Sequence, residues 1–74
     1  MQLPIIDMVG TGENIRDIRK LRGMSVKNLQ TIFRFSTPQA IYKWEQGISI
    51  PTIDNLLILS KIFDVSLEDI IKTK

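Results

Sequence analysis

The segment that decides the fold is SVKNLQTIFRFSTPQAIYKWEQG, residues 25–47. Ser25 and Asn28 have the spacing of a capping box, in which two side chains bind each other's backbone N–H at the start of a helix. This spacing predicts a helix of about two turns that begins after Ser25. Its apolar face would be formed by Val26, Leu29, Ile32 and Phe33.

A second helix is predicted after a break at residues 34–36. Thr37 is a common N-terminal cap, and Pro38 suits the first helical position because its missing N–H would be unpaired there in any case. We therefore predict a helix over residues 38–46, ended by Gly47 in a left-handed conformation. Two short helices joined by a tight break are typical of a helix-turn-helix unit, whose second helix enters the DNA major groove.

Three further helices are predicted around this unit. The first begins at the cap-like segment Thr11–Asn14 and ends at Gly23. The fourth is capped by Thr52 and has too many apolar residues for one narrow stripe, so we expect it to be the most buried element. Ser66 and Asp69 form another capping-box-like pair, which predicts a short fifth helix.

The length of the chain limits its organisation. A chain of 74 residues is too short for two cores, so we expect one domain at residues 11–74, preceded by an apolar N-terminal arm at residues 1–10. No apolar run approaches the roughly 20 residues of a membrane span. The N-terminus also lacks the pattern of a secretory signal. We therefore expect a cytoplasmic protein without a membrane partner.

The absence of cysteine and histidine argues against an enzyme. It removes thiolate nucleophiles, thiolate zinc sites and the most versatile acid–base group in proteins. We therefore expect no catalytic residue, no metal site, no cofactor and no small-molecule effector. The carboxylates of the second half are interpreted as caps and solvated charges, and they are Asp54, Asp64, Glu68 and Asp69.

Positive charge is concentrated in the middle of the chain. Residues 11–47 carry seven basic and three acidic side chains, a net charge of +4, whereas the whole chain carries +2. This distribution is expected if the segment faces an anion such as the phosphate backbone of DNA. A solvated surface is the alternative interpretation.

The order and spacing of several segments resemble the Cro/phage-repressor (XRE-like) helix-turn-helix family. They are IRDIRKLRGMS (15–25), IYKWEQG (41–47), Pro51-Thr52 and VSLEDI (65–70). The resemblance covers roughly residues 12–72 and implies an all-α, five-helix, lambda-repressor-like domain. It also implies binding to double-stranded operator DNA, and we expect a repressor that is a weak homodimer completed on DNA.

The recognition helix supplies the candidate base contacts. Gln39 is the first choice because an amide can bond to adenine N6 and N7, although a glutamine can also be a surface residue without a partner. Lys43 lies one turn later on the same face and could reach a guanine or a phosphate. Thr37 could contact DNA as well as cap the helix, and Ala40 is either a contact to a thymine methyl or a small spacer between helices.

Phosphate contacts are expected at the edges of this helix and at the start of the preceding one. Tyr42 is either a phosphate contact or a half-buried ring at the edge of the core. The other candidates are Lys27, Asn28 and Ser36, for which simple solvation is the alternative.

The family resemblance also implies a structural ion pair and draws attention to three departures. Arg19 and Glu45 are expected to pair and to join the first helix to the end of the third. Val26 replaces a usual glutamine, Gln30 a usual alanine, and Arg34 the turn glycine. The turn also has one residue more than the common pattern, so the angle between the two helices cannot be carried over from the family.

A protein-interaction module is the alternative function. In this interpretation the apolar arm, Leu3 to Val9, docks onto a partner, as in an antitoxin. Binding through phosphates weakens steeply with salt, whereas an apolar dock does not, so salt dependence distinguishes the two.

Overall fold

The computed structural model describes residues 3–74, and these contain five α-helices. They are α1 (Met8–Leu21), α2 (Val26–Phe33), α3 (Gln39–Glu45), α4 (Ile53–Phe63) and α5 (Leu67–Ile70). The all-α, five-helix prediction is therefore confirmed. Met1 and Gln2, the first residues of the expected arm, lie outside the described residues. None of the described helices has the length and apolar character that a membrane crossing requires.

Local capping starts three of the helices where the sequence predicts it. The Ser25 hydroxyl accepts from the backbone N–H of Asn28, whose side chain accepts in return from the N–H of Ser25. Ser66 and Asp69 form the same reciprocal pair at α5. Thr52 caps α4. Each of these contacts joins residues only three positions apart, so the sequence pattern is sufficient to identify them.

The predicted start of the first helix at Thr11 is wrong. Asp7 is the N-cap of α1, and its carboxylate accepts from the N–H of Gly10 at 3.0 Å, so the helix begins at Met8 inside the expected arm. Thr11 is fully buried within the helix. Its hydroxyl donates to the carbonyl of Lys72 and accepts from the N–H of the same residue. The cap-like threonine thus has a partner at the other end of the chain.

The remaining part of the arm pairs with the C-terminal residues. Ile6 and Thr73 form an antiparallel bridge, and the N–H of Lys74 donates to the carbonyl of Ile5 at 2.8 Å. These hydrogen bonds bring the two ends of the described chain together. The side chains of Leu3, Ile5 and Ile6 nevertheless remain exposed.

A single core receives side chains from every helix. The largest contribution comes from α4, but only one side of that helix is buried. The expectation that α4 is the most buried element is wrong, because α1 has five buried residues and α4 has three. The buried apolar residues of the core are Ile15, Leu29, Ile41, Trp44, Leu56, Leu59, Phe63 and Ile70.

The first half of α1 lies directly against the C-terminal end of α3. A Cβ atom at Gly12 would overlap the carbonyl oxygen of Trp44 and would lie 2.8 Å from that of Glu45. Gly47, at a φ of 75°, makes a similar approach to the backbone of Val9. Glycine at these positions therefore lets the backbones of the two helices meet, which places α3 relative to the core.

The second half of α1 holds the same end of α3 through an ion pair. Arg19 donates from Nε to Glu45 Oε2 at 2.7 Å and from Nη2 to Oε1 at 3.1 Å. Its Nη1 donates to the carbonyl of Met24, in the turn between α1 and α2, at 3.0 Å. The side chains of Arg19 and Glu45 are only 10% and 7% exposed. One guanidinium thus joins α1, the turn before α2, and the end of α3.

Gly12→Ala is expected to lower the free energy of unfolding by about 2 kcal/mol, because the added methyl overlaps backbone atoms of α3. Alanine has a higher helix propensity than glycine, so the measured loss of unfolding free energy is smaller than the energy of the steric overlap alone. Urea denaturation measures the change. Gly23→Ala is the matched control: open space surrounds Gly23 at a φ of 69°, so only left-handed strain of about 1 kcal/mol is expected. A Gly12→Ala variant as stable as the wild type would contradict the close approach.

Glu45→Gln is expected to lower the free energy of unfolding by about 2 kcal/mol, because it leaves the buried Arg19 charge without its counterion. For a domain of this size that corresponds to a fall in Tm of roughly 10 °C, measurable by circular dichroism. Glu68→Gln, at an exposed position of α5, is the control and should change Tm little. An unchanged Tm in Glu45→Gln would show that the pair does not stabilise the fold.

Candidate nucleic-acid interface

The turn between α2 and α3 is closed by residues that depart from the family pattern. Arg34 ends α2 in the left-handed conformation, at a φ of 57° and a ψ of 36°. The N–H of Phe35 then donates to the backbone carbonyl of Gln30 at 3.0 Å, and Gln30 Nε2 donates to the carbonyl of Phe35 at 3.2 Å. Gln30 therefore binds both the backbone N–H and the backbone carbonyl of Phe35. The Gln30 side chain thus stabilises the turn by a hydrogen bond to the backbone.

An aromatic cluster anchors the same turn to the core. The Phe35 ring stacks on the Phe33 ring, with ring centroids 5.2 Å apart. Both rings make T-shaped contacts with Trp44, at centroid distances of 5.8 Å for Phe35 and 5.4 Å for Phe33. Phe33, predicted on the apolar face of its helix, packs against the core, and Trp44 is one of the buried core residues. Phe35 was not identified as a core residue, although a phenylalanine in an otherwise polar break is a usable signal. The cluster joins the end of α2 and the turn to the C-terminal part of α3.

The start of α3 differs by one residue from the prediction. Pro38 is the N-cap rather than the first helical residue, and its carbonyl accepts from the N–H of Tyr42 at 3.1 Å. The Thr37 hydroxyl accepts from the N–H of Gln39 at 3.5 Å, the outer limit of a hydrogen bond. The prediction that Thr37 is the N-cap is therefore wrong, and the helix spans Gln39–Glu45 instead of residues 38–46.

One side of α3 faces solvent and the other is buried. Ile41 and Trp44 point into the core, whereas Gln39, Tyr42 and Lys43 are exposed. Gln39 and Lys43 are one helical turn apart, so their side chains lie on the same face. The structure thus brings together a set of exposed polar candidates, and the turn adds two more, Ser36 and Thr37.

Two candidates have surroundings that bear on the alternatives. Ala40 is half-buried and packs against the core, which favours the spacer interpretation over a contact to a base. Tyr42 is 45% exposed, which fits both a half-buried ring at the edge of the core and a contact to a phosphate. A phenol at this exposure is accessible to a partner.

At the start of α2, Lys27 and Asn28 are both exposed. The side-chain oxygen of Asn28 accepts from the N–H of Ser25 at 2.8 Å, which fixes the orientation of the amide. An amide held in this way keeps its NH₂ group as a hydrogen-bond donor. The start of α2 therefore presents two hydrogen-bond donors, the charged ammonium group of Lys27 and the neutral amide of Asn28.

Two further polar residues join α1 and its C-cap to the ends of α4 and α5. Arg22 Nε donates to the carbonyl of Phe63 at 2.8 Å, and Asn14 Nδ2 donates to the carbonyl of Ile70 at 3.1 Å. Both bonds satisfy carbonyls at the ends of α4 and α5, which have no partner within their own helices. Sequence analysis did not identify them, because no local pattern connects residues so far apart in the chain.

Comparison with known proteins gives a family and a fold. A helix-turn-helix family model matches residues 15–70, more than half of the chain. The S. venezulae BldD DNA-binding domain is similar in structure, with a TM-score of 0.73, 18% identity, and coverage of 88% of this chain and 96% of that one. The controller protein C.AhdI of a restriction-modification system from Aeromonas hydrophila is also similar, with a TM-score of 0.75, 22% identity, and coverage of 86% and 96%. No curated protein matches the chain in sequence.

At these identities the structural likeness shows the fold, and the family model shows membership. The matched residues include α2, the turn and α3 with its exposed polar face. The resemblance identified from the sequence is thereby confirmed. The chain belongs to the helix-turn-helix family of DNA-binding transcriptional regulators.

Proposed function

We propose that this domain represses transcription by binding double-stranded operator DNA, with α3 in the major groove and the start of α2 beside the phosphate backbone. The exposed face of α3 carries the proposal: Gln39 and Lys43 face outward from a helix whose other side is buried. A major groove admits one α-helix, and amide and ammonium groups are donors that base edges and phosphates accept. The ion pair of Glu45 and the aromatic cluster hold this helix in a fixed orientation.

Gln39 is the proposed reader of base sequence. Its exposed amide, in the first turn of α3, can donate to and accept from one adenine. Lys43 serves as a point charge toward a guanine or a phosphate. Thr37 contributes its hydroxyl beside them, and Ala40 contributes at most a methyl contact, since it packs against the core.

Phosphate contacts are proposed for exposed residues on both sides of the turn. Lys27 supplies a charge and Asn28 an oriented amide at the start of α2. Ser36 and Tyr42 supply hydroxyl groups from the turn and from α3. Contacts of this kind position a protein on the duplex without reading its sequence.

Binding alone accounts for this function. Regulators of this family act through DNA contacts, so we propose that the domain needs no catalysis, cofactor or small-molecule effector. A cytoplasmic location is proposed with it. An antitoxin-like interaction module would use the apolar side chains of the arm, which stay exposed although Met8 and Val9 belong to α1 and Ile6 pairs with Thr73. Salt dependence of binding distinguishes that module from a DNA-binding domain.

Selection from random duplexes at physiological salt is expected to enrich one motif. For the selected duplex, the affinity should fall as the salt concentration rises. A plot of the logarithm of the association constant against the logarithm of the salt concentration should have a slope of about −2 or steeper, since Lys27 and Lys43 each displace roughly one counterion. Fluorescence anisotropy at several salt concentrations measures the slope. A folded protein that enriches no motif, or binds without salt dependence, would contradict sequence-specific DNA binding.

Gln39→Ala and Lys43→Ala are expected to act differently. Gln39→Ala should weaken binding to the selected duplex by about 1–3 kcal/mol and leave binding to random duplex nearly unchanged, since it removes a base contact. If Lys43 contacts a phosphate, Lys43→Ala should weaken both and reduce the salt slope by about 1. Lys74→Ala removes the same charge outside α2 and α3 and is the control. Equal losses on both duplexes for Gln39→Ala would contradict its proposed reading of bases.

A further inference from the structure

Arg34 has a left-handed backbone conformation to which arginine is poorly suited. Within residues 3–74 four positions have a positive φ, and they are Gly23, Arg34, Gly47 and Asp64. Glycine has no Cβ atom to clash in this conformation, and aspartate tolerates it because its short polar side chain can form local hydrogen bonds. Arginine has neither advantage. Its backbone is therefore strained at the end of α2.

The side chain of Arg34 does not offset this strain by a polar contact inside the domain. Arg34 is exposed, and among residues 3–74 its guanidinium takes part in no hydrogen bond and no ion pair. The turn is closed by its neighbours instead, since Gln30 binds the backbone of Phe35. Strained residues cluster at functional sites, where the strain is part of how the site works. The left-handed arginine therefore points to a contact outside the domain.

Arg34 is also one of three cations in a segment without acidic residues. Residues 25–44 contain Lys27, Arg34 and Lys43 and no aspartate or glutamate. The N–H of Arg34 bonds to the carbonyl of Thr31 at 3.1 Å, so its Cα atom still continues α2. It lies seven positions after Lys27, roughly 10 Å along the helix axis. DNA carries one negative charge per roughly 1.7 Å of its axis, so the two cations can meet different phosphates.

We propose that Arg34 contacts a phosphate of the operator, and that the chain keeps a strained arginine in the turn for this contact. A guanidinium can bind a phosphate through two parallel hydrogen bonds and is weakly hydrated, which suits an interface. The contact is to the backbone of DNA because Arg34 ends α2, the helix placed beside the phosphates. The inference rests on the proposed DNA binding and adds a third cation to Lys27 and Lys43.

Arg34→Gly separates the charge of this residue from its strain. Glycine relieves the left-handed strain, so Tm should rise by roughly 5 °C in circular dichroism. The affinity for DNA should nevertheless fall about tenfold at physiological salt, because one charge-assisted contact is lost. The fall should be equal for the selected duplex and a random duplex, since phosphates carry no sequence information. The salt slope should become shallower by about 1.

Three variants control this measurement, which uses fluorescence anisotropy at several salt concentrations. Arg34→Lys keeps the charge in the same backbone conformation and should retain the wild-type slope. Asp64→Gly relieves the other left-handed position that is not glycine, at the C-cap of α4, and should not weaken binding. Lys74→Ala removes a positive charge outside α2, the turn and α3, and should leave the slope unchanged.

Three results would overturn the role of Arg34. They are an Arg34→Gly variant with wild-type affinity and slope, a loss confined to the selected duplex, and a loss of binding accompanied by a fall in Tm. The second would assign Arg34 to base reading, and the third would make it a structural residue. All three leave operator binding intact. A wild type that binds neither duplex in the same titrations would instead contradict operator binding, and the contact of Arg34 with it.

Discussion

The buried guanidinium of Arg19 is the interaction on which the arrangement of this domain depends. Its planar fork binds both oxygens of Glu45, and its third donor group binds the carbonyl of Met24. A charge so far removed from water is tolerable only with all its partners in place. The position of α3 is therefore coupled to α1 and to the turn before α2.

The first helix is the scaffold to which the others are attached. Gly12 admits the backbone of α3, and the buried hydroxyl of Thr11 binds the backbone near the C-terminus. Asn14 and Arg22 satisfy the carbonyls that end α5 and α4. Helix ends leave such carbonyls without partners, and water would otherwise bind them. Polar side chains of α1 and of its C-cap Arg22 thus bind the backbone at the ends of α4 and α5.

The turn of the helix-turn-helix unit is held by contacts of Gln30 and Phe35. Gln30 holds the peptide groups of Phe35, and the Phe35 ring enters the aromatic cluster with Trp44. The left-handed Arg34 has an intrinsic cost of about 1 kcal/mol, which these contacts offset. Helical periodicity was sufficient to place Gln39 and Lys43 on one face of α3. It could not establish that Ala40 packs against the core, because that depends on the neighbouring helix.

The sequence by itself determined the five helices, most of their ends and the polar face of α3. Capping pairs such as Ser25 with Asn28 join residues three positions apart, so the local sequence alone is sufficient to predict them. Three other features depend on the tertiary structure: the burial of Thr11, the place of Phe35 in the core, and the exposure of one face of α4. Each of these depends on a partner distant in the chain: Thr11 binds Lys72 across 61 positions. Burial is a property of neighbours in space, and a sequence pattern shows only neighbours along the chain.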